Sequence, residues 1–430
     1  MKCPYACNSA EHSLSRRSLL GGLATGAATL ASGFGGVLAA TPGVAEHVKA
    51  KRKRILNIFL HGGVSQLESW DPKPNTDTGG PFRAIPTSVP GIHICELLPY
   101  TAKQMHHLAV IRSLNTKNQD HGKGQIEMVT GRNRMPGTDY PHLGAVTAKS
   151  LLPDRGFPLP GHVLIRGAGP GTGQAAYLGP KYAAVVMDDG KPPKYTERLA
   201  SLTAEADARR NALRAAASDR FSGRRRTADT DAYTFSYDQA ADLLSQREVF
   251  DVTKEPAADQ ARYGKSEFGQ HCLLARRLLE RDIPFVQINH SNYDTHFENF
   301  DFHIEQLGEF DQPFATLVAD LADRGLLSDT LICVMSEFGR TPKINARYGR
   351  DHWGTAWSVL LGGAGVQRGA LIGKTNDNGT AVTDREVDHG HVFHTLLAGI
   401  GVDSKSEFEI GGRKFPLADP AKGPIKELLA

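Results

Sequence analysis

The chain has 430 residues, of which 23% are charged and 40% hydrophobic, with a formal net charge of +3. This composition excludes a disordered or fibrous chain, and the length suits one large domain or two ordinary ones. Much of the small positive excess lies in the first 54 residues, so the charge gives no argument for nucleic acid and none is expected as a partner.

Residues 1–45 read as an export leader. Ser15-Arg16-Arg17-Ser18-Leu19-Leu20 is a twin-arginine signature, followed by a Gly/Ala-rich run from Gly21 to Ala40 and a small-residue site from Thr41 to Ala45. The run is too poor in Leu, Ile and Phe for a good anchor, so no stable membrane span is expected after processing. The twin-arginine translocase is the expected export partner, and the periplasm or the extracellular space the expected location. That route carries folded, often metal-loaded proteins, which raises the expectation of a metal site. Residues 46–54 form a basic linker ending in Lys51-Arg52-Lys53-Arg54, read as a solvated edge rather than a nucleic-acid patch. The five cysteines (3, 7, 95, 272 and 333) form no zinc-type CxxC pair, and no disulfide framework is expected.

Ile55 to Leu60 is an apolar strand ending in His61-Gly62-Gly63, where the glycines permit close backbone approach. Ser65, Glu68 and Asp71 follow. His107 to Ser113 is a second short strand. Asn118 to Gly124 opens a helix that runs to about Thr130 and ends at Gly131-Arg132. Its N-terminus carries Asp120 and His121, and its free N–H groups suit an anion or an activated nucleophile. Tyr140 to Leu152 predicts another helix and Gly161 to Ile165 another strand. The Gly-rich segment 167–179 matches no phosphate-loop pattern. Residues 181–262 are Ala/Arg-rich and predict a helical insertion or cap over the core, with a partner-binding arm as the alternative.

Gly264 to Arg281 predicts an amphipathic helix, Ile283 to Asn289 a strand, and Asn299 to Arg324 a long helix. Thr330 to Met335 is a buried strand that ends abruptly at Ser336-Glu337-Phe338. A turn-rich basic loop then leads to Asp351-His352-Trp353-Gly354 and a second apolar run, Trp357 to Leu361. Asp388 to His394 enters a helix to about Ile400, and the last thirty residues predict a peripheral strand pair and tail. Strands alternating with helices predict an α/β fold over residues 55–430: a doubly wound, mainly parallel sheet flanked by helices.

Ligand-type residues gather at the predicted strand ends: His61, then Asp294 and His296, then Glu337, then Asp351 and His352, with Asp120 and His121 at a helix N-terminus. Open α/β sheets bind ligands at such ends. In an extended segment Asp294-x-His296 points both side chains to one face. Mixed His and carboxylate sets suit Zn²⁺, Mn²⁺ or Fe, and all-oxygen sets suit Ca²⁺ or Mg²⁺. One or two divalent ions, Zn or Ca/Mn, are expected; a pair would clamp a phosphorus or similar centre. His61, His121, Asp294, His296, Glu337, Asp351 and His352 are the candidate ligands or the groups directly behind them. Glu68, Asp120 and Arg340, with His121, are candidates for base or anion contact.

Six stretches carry a resemblance: HGGVSQLESWDPKP at 61–74, DHGKG at 120–124, MVTGR at 128–132, YDTH at 293–296, SEFGRTPKIN at 336–345 and GRDHW at 349–353. From about Lys53 onward the chain resembles an uncharacterised family of twin-arginine-exported bacterial proteins. That family is similar in outline to the alkaline phosphatase and sulfatase superfamily. The resemblance implies an alkaline phosphatase-like core, with Thr330 to Gly339 matching the strand whose end supplies a metal-binding Asp-His pair. It further implies that His352 matches the late metal histidine, Asp294 and His296 the Asp…His pair, and His61 the position of the first metal aspartate. Two features depart from the pattern. Sulfatases carry a nucleophilic Cys nine residues before a Thr-Gly-Arg, and here that place, counted from Thr130, holds His121. Glu337 is followed by Phe338, not His.

The expected function is therefore an exported metal-dependent hydrolase-like protein acting on an anionic ester, phosphate or sulfate, including one on a polysaccharide. A metal-bound water would replace the missing side-chain nucleophile. Ser65 is a candidate substitute. The rival expectation is a non-catalytic binding or structural protein that retains the fold, distinguished by a closed rather than an open metal site.

Overall fold

The computed structural model describes residues 53–153, 157–165, 173–187, 191–192, 198–222 and 228–430. The twin-arginine leader and most of the basic linker lie outside the described residues.

Ten strands matter to the site: β1 (Arg54–Leu60), β2 (Leu108–Leu114), β3 (His162–Ile165), β4 (Val185–Met187), β5 (Phe285–His290), β6 (Thr330–Met335), β7 (Gly339–Arg340), β8 (His352–Trp353), β9 (Trp357–Gly363) and β10 (Leu371–Ile372). Eight of them form one sheet in the order β10-β2-β9-β6-β1-β5-β3-β4. β1 pairs in parallel with β5 and β6, β5 with β3, β3 with β4, and β10 with β2. β9 alone runs antiparallel to both neighbours, β2 and β6.

Every residue of β1 and β6 is buried. Such continuous apolar runs are what a sheet covered on both faces requires. The side chains still alternate. Leu56, Ile58 and Leu60 of β1 and Ile332 and Val334 of β6 enter one apolar cluster. Ile55 and Phe59, with Leu331, Cys333 and Met335, enter the other. The long C-terminal helices α4 (Glu267–Glu280) and α5 (Asn299–Asp323) cover the first face; α1 (His121–Thr130), α2 (Leu143–Leu151) and α6 (His389–Gly399) cover the second. The expected α/β architecture, a large and mostly parallel sheet between helices, is thus present.

Several expectations shift at their edges for identifiable reasons. Pro284 has no N–H to give a ladder, and β5 begins one residue later, at Phe285. Ser266 caps α4 by accepting from the Gly269 N–H at 3.1 Å, so that helix starts at Glu267. The stretch expected to be helical from residue 181 opens on a 3-10 turn, Pro180–Tyr182, and then carries β4, which extends the main sheet beside β3; α3 (Ala204–Ser222) and further helices follow. Arg54 does not sit on a solvated edge. Its side chain is buried in β1 and donates to the Leu279 carbonyl. Cys95, Cys272 and Cys333 are buried thiols. Among the described residues no helix is long and apolar enough to cross a membrane.

Topology sets the site. Because β1, β5 and β6 are parallel neighbours, His61, His290 and Ser336 leave the sheet on the same edge. β9 runs the other way, so its beginning, just after His352, returns to that edge as well.

Candidate metal centre

Helix α1 delivers the first imidazole. Asp120 is its N-cap, with Oδ1 accepting from the Lys123 N–H at 2.8 Å, and Gly131 closes it in the left-handed region at φ 65°. A Cβ on Gly131 would stand 2.4 Å from Phe393, so the Thr-Gly-Arg motif here serves packing. Arg132 confirms that use by donating to the carbonyls of Pro416 and Ala418 at 2.8 and 2.6 Å.

Glu337 leaves β6 fully buried. Its Oε1 accepts from the Gly62 N–H at 2.9 Å and from His121 Nδ1 at 2.7 Å, and its Oε2 accepts from Ser336 Oγ at 3.0 Å. Burial pushes the Glu337 pKa up, but His121 and the other donors outweigh it and leave it lowered. The same hydrogen bond raises the pKa of His121.

Asp294 follows β5 and is the hub of the site. Its Oδ1 accepts from Arg340 Nη2 at 2.6 Å and lies 3.1 Å from His296 Nε2 and 3.2 Å from His352 Nε2. Its Oδ2 lies 3.4 Å from His121 Nε2. Burial opposes ionisation, but Arg340, then His352 and His121, hold the carboxyl at about 2. Gly62 makes the position available: a Cβ there would come within 2.5 Å of the Asp294 nitrogen.

The remaining imidazoles are anchored from behind. His296 Nδ1 donates to Asp351 Oδ1 at 2.7 Å, which lowers the Asp351 pKa. His352 Nδ1 donates to the Gln119 carbonyl at 2.8 Å. Burial lowers the His352 pKa. The acceptors fix the tautomers. A carboxylate or carbonyl at Nδ1 places a proton there, so in the neutral ring Nε2 is the nitrogen left with a lone pair. All three Nε2 atoms converge on one carboxylate. The ligand atoms of His121, Asp294 and His352 lie within 4.8 Å of one another, a group suited to holding a metal ion. The side chains of Asp294, His121, His296 and His352 keep 48, 34, 33 and 22% of their surface exposed, so the cluster opens to solvent.

The other expected site residues take different places. Arg340 is completely buried and spends four of its five N–H donors on Asp294 and on the carbonyls of Gly62, Gly63 and Arg350, so its contact in this site is with Asp294. Glu68 is also completely buried. It is gripped by Arg350 through Nε–Oε2 at 3.0 Å and Nη2–Oε1 at 2.8 Å, with Asn299 donating at 3.0 Å, so its carboxylate is committed to a buried ion pair. Asp120 is spent on its cap. Glu337 and Asp351 accept from the Nδ1 atoms of His121 and His296. The His61 ring is buried against Phe59, with Nδ1 toward Gln125 at 3.1 Å, and burial lowers its pKa. Ser65 is fully buried and unsuited to attack. Sequence reasoning missed Gln119, which acts through its main-chain oxygen and carries no side-chain signal. It also missed Asn345, which donates to the His296 carbonyl at 3.0 Å and to Asp351 Oδ1 at 3.3 Å.

The fold and this cluster define a doubly wound α/β protein with a candidate His/Asp metal centre at the C-terminal edge of its sheet. The chain belongs to the family described as "Protein of unknown function (DUF1501)", whose model matches residues 52–429. No curated protein matches it in sequence. Similar solved structures include a sulfatase from Pseudoalteromonas sp., with 12% identity, a TM-score of 0.39, and 89% of this chain and 77% of that one covered. A phosphonate monoester hydrolase from Silicibacter pomeroyi shares 13% identity at TM-score 0.35, covering 87% and 78%. An alkaline phosphatase from the Antarctic bacterium TAB5 shares 13% at TM-score 0.37, covering 81% and 98%. At such TM-scores these likenesses say nothing of what this chain acts on.

Proposed function

We propose that the chain is an exported metal-dependent hydrolase of anionic esters, phosphate or sulfate. One observation carries the proposal: three imidazoles, each with Nδ1 anchored, turn their Nε2 atoms toward a single ionised carboxylate in a cluster open to solvent. Histidines held by such acceptors are oriented as metal ligands commonly are. His121, Asp294 and His352 would hold a divalent ion, and their mixed nitrogen and oxygen donors suit Zn²⁺, Mn²⁺ or Fe²⁺. Such an ion, when bound, supplies a Lewis acid for the ester's oxygens and lowers the pKa of a bound water toward neutrality.

The remaining residues have separable tasks. Arg340 holds Asp294 in its ionised form and fixes its rotamer. His296, oriented by Asp351, presents Nε2 as a base within reach of the same space; it takes a proton from the attacking water and returns it to the leaving alcohol. No serine, threonine or cysteine hydroxyl or thiol contacts the four cluster side chains among the described hydrogen bonds, which favours water as nucleophile. The half-exposed cluster favours an open catalytic site over a closed structural one.

The test is metal content by mass spectrometry on protein from an exporting host, together with turnover of aryl phosphate and aryl sulfate esters. Stoichiometric metal should be lost in His121→Ala and His352→Ala. His296→Ala should keep the metal and lose turnover by roughly a hundredfold or more. A metal-free wild type with folded variants sinks the proposal; bound metal without turnover of either ester supports a binding protein instead.

A further inference from the structure

Beside the cluster, two tight turns are clipped together. The Glu298 N–H donates to the Arg347 carbonyl at 3.1 Å, and the Asn299 N–H donates to the Tyr348 carbonyl at 3.0 Å. Asn345 draws them closer by donating to the His296 carbonyl. Gly349 admits no side chain, since a Cβ there would lie 2.1 Å from the carbonyl of His296. Both turns are strained. Glu298 has φ 48° and Tyr348 φ 56°, a region that residues other than glycine rarely adopt. Strain of this kind persists only where surrounding structure enforces it, and it gathers at functional sites.

What the strained turns display is aromatic. The Tyr348 residue is 72% exposed and Phe297 46%, two large rings on the surface directly after His296 and shortly before Asp351. Phe302 props Phe297 edge-on, with ring centroids 5.6 Å apart. The surrounding charges are of both signs: Lys343 and Arg347 are exposed on one turn, Glu298 on the other, and Asp301 at the start of α5. A surface that carries both signs of charge and is not continuously apolar does not suit a membrane. Exposed ring faces flanked by cationic donors and carboxylate acceptors suit a saccharide, whose C–H face stacks on aromatics while its hydroxyls bond to charged side chains.

Resting on the function proposed above, we infer that Tyr348 and Phe297 floor a saccharide subsite. It holds the sugar ring next to the one whose ester reaches Asp294, His121 and His352. The substrate class is then an esterified oligosaccharide or polysaccharide rather than a small free ester.

An array of sulfated, phosphorylated and unsubstituted oligosaccharides, probed with the full processed chain, tests this. Wild type should bind at least one saccharide, and the Phe297→Ala/Tyr348→Ala variant should bind it about tenfold or more weakly with its metal content unchanged. Binding should survive roughly 0.5 M NaCl, where charge attraction is screened beyond about 5 Å. No bound saccharide, equal binding by the double variant, loss of binding in salt, or a preference for anionic lipid vesicles each overturns the inference. Metal measured in the same samples separates the two proposals. Saccharide binding by a metal-free wild type retains the subsite and removes the hydrolase; metal without saccharide binding does the reverse.

Discussion

The Nε2 atoms of His296 and His352 face each other at 2.9 Å while both Nδ1 atoms donate elsewhere. Two lone pairs at that distance repel unless a proton or a cation lies between or beside them. A divalent ion taken up here should therefore displace about one proton per chain near neutral pH. Calorimetric titration of Zn²⁺ into chelator-treated protein, in buffers of different ionisation enthalpy, measures that number. Zero released protons would mean that the pair is relieved in some other way.

Glu337→Gln keeps the shape of the buried side chain but removes its charge. The amide can turn its NH₂ toward His121, which then loses its fixed tautomer. Metal affinity should fall by roughly ten- to a hundredfold with the fold retained. Competition with a fluorescent chelator gives the affinity, and circular dichroism checks the fold. An unchanged affinity would remove Glu337 from the site.

Glu68 and Arg350 form a completely buried ion pair. Arg350→Met leaves the Glu68 carboxylate without its main partner and should cost about 3–5 kcal/mol of stability. Glu68→Gln combined with Arg350→Met should recover part of that loss. Urea unfolding of the two variants measures both effects. A loss below about 1 kcal/mol in the single variant would show the pair to be dispensable.

His142 and His162 stack 4.8 Å apart in the interior, and each has an Nε2 without a hydrogen-bond partner. Burial, then their mutual repulsion, holds His142 well below 6.5. Burial takes His162 down to about 4. A depressed folded pKa means that the unfolded chain takes up protons first as pH falls. Stability associated with His162 is complete above about 6.5 and is lost between there and about 4, by on the order of 3 kcal/mol, and His142 adds to the loss in the same direction. His162→Gln should flatten the decline in melting temperature across that window. A melting temperature independent of pH in the wild type would contradict the assignment.

The sheet was legible because its strands are continuous apolar runs bounded by glycine and polar residues, as at 330–335. β4 was not legible: three residues in an Ala-rich stretch give too short a period to separate from helix. The site was half legible. Asp294, His296 and His352 announce themselves by residue type at strand ends. Division of labour among the rest depends on burial and partner geometry, which residue type does not encode. Glu68 and Glu337 read alike in sequence. Only packing shows that one is locked to Arg350 and the other to His121. Arg340 looks like an anion contact until its donors are traced to three carbonyls and Asp294. The antiparallel course of β9 was also hidden, since an apolar run has no direction.

His121 and Glu337 lie 216 residues apart in the chain, and Gln119 and His352 lie 233 apart. Contacts closing such long loops form late, because their entropy must be met before they stabilise anything. An unfolded or half-folded chain therefore presents no cation site, only scattered histidines. A metal ion bound as proposed would enter only after β1, β5, β6 and β9 have docked. The ion would act less as a template for folding than as a latch on the finished molecule, slowing its unfolding while leaving its rate of folding unchanged.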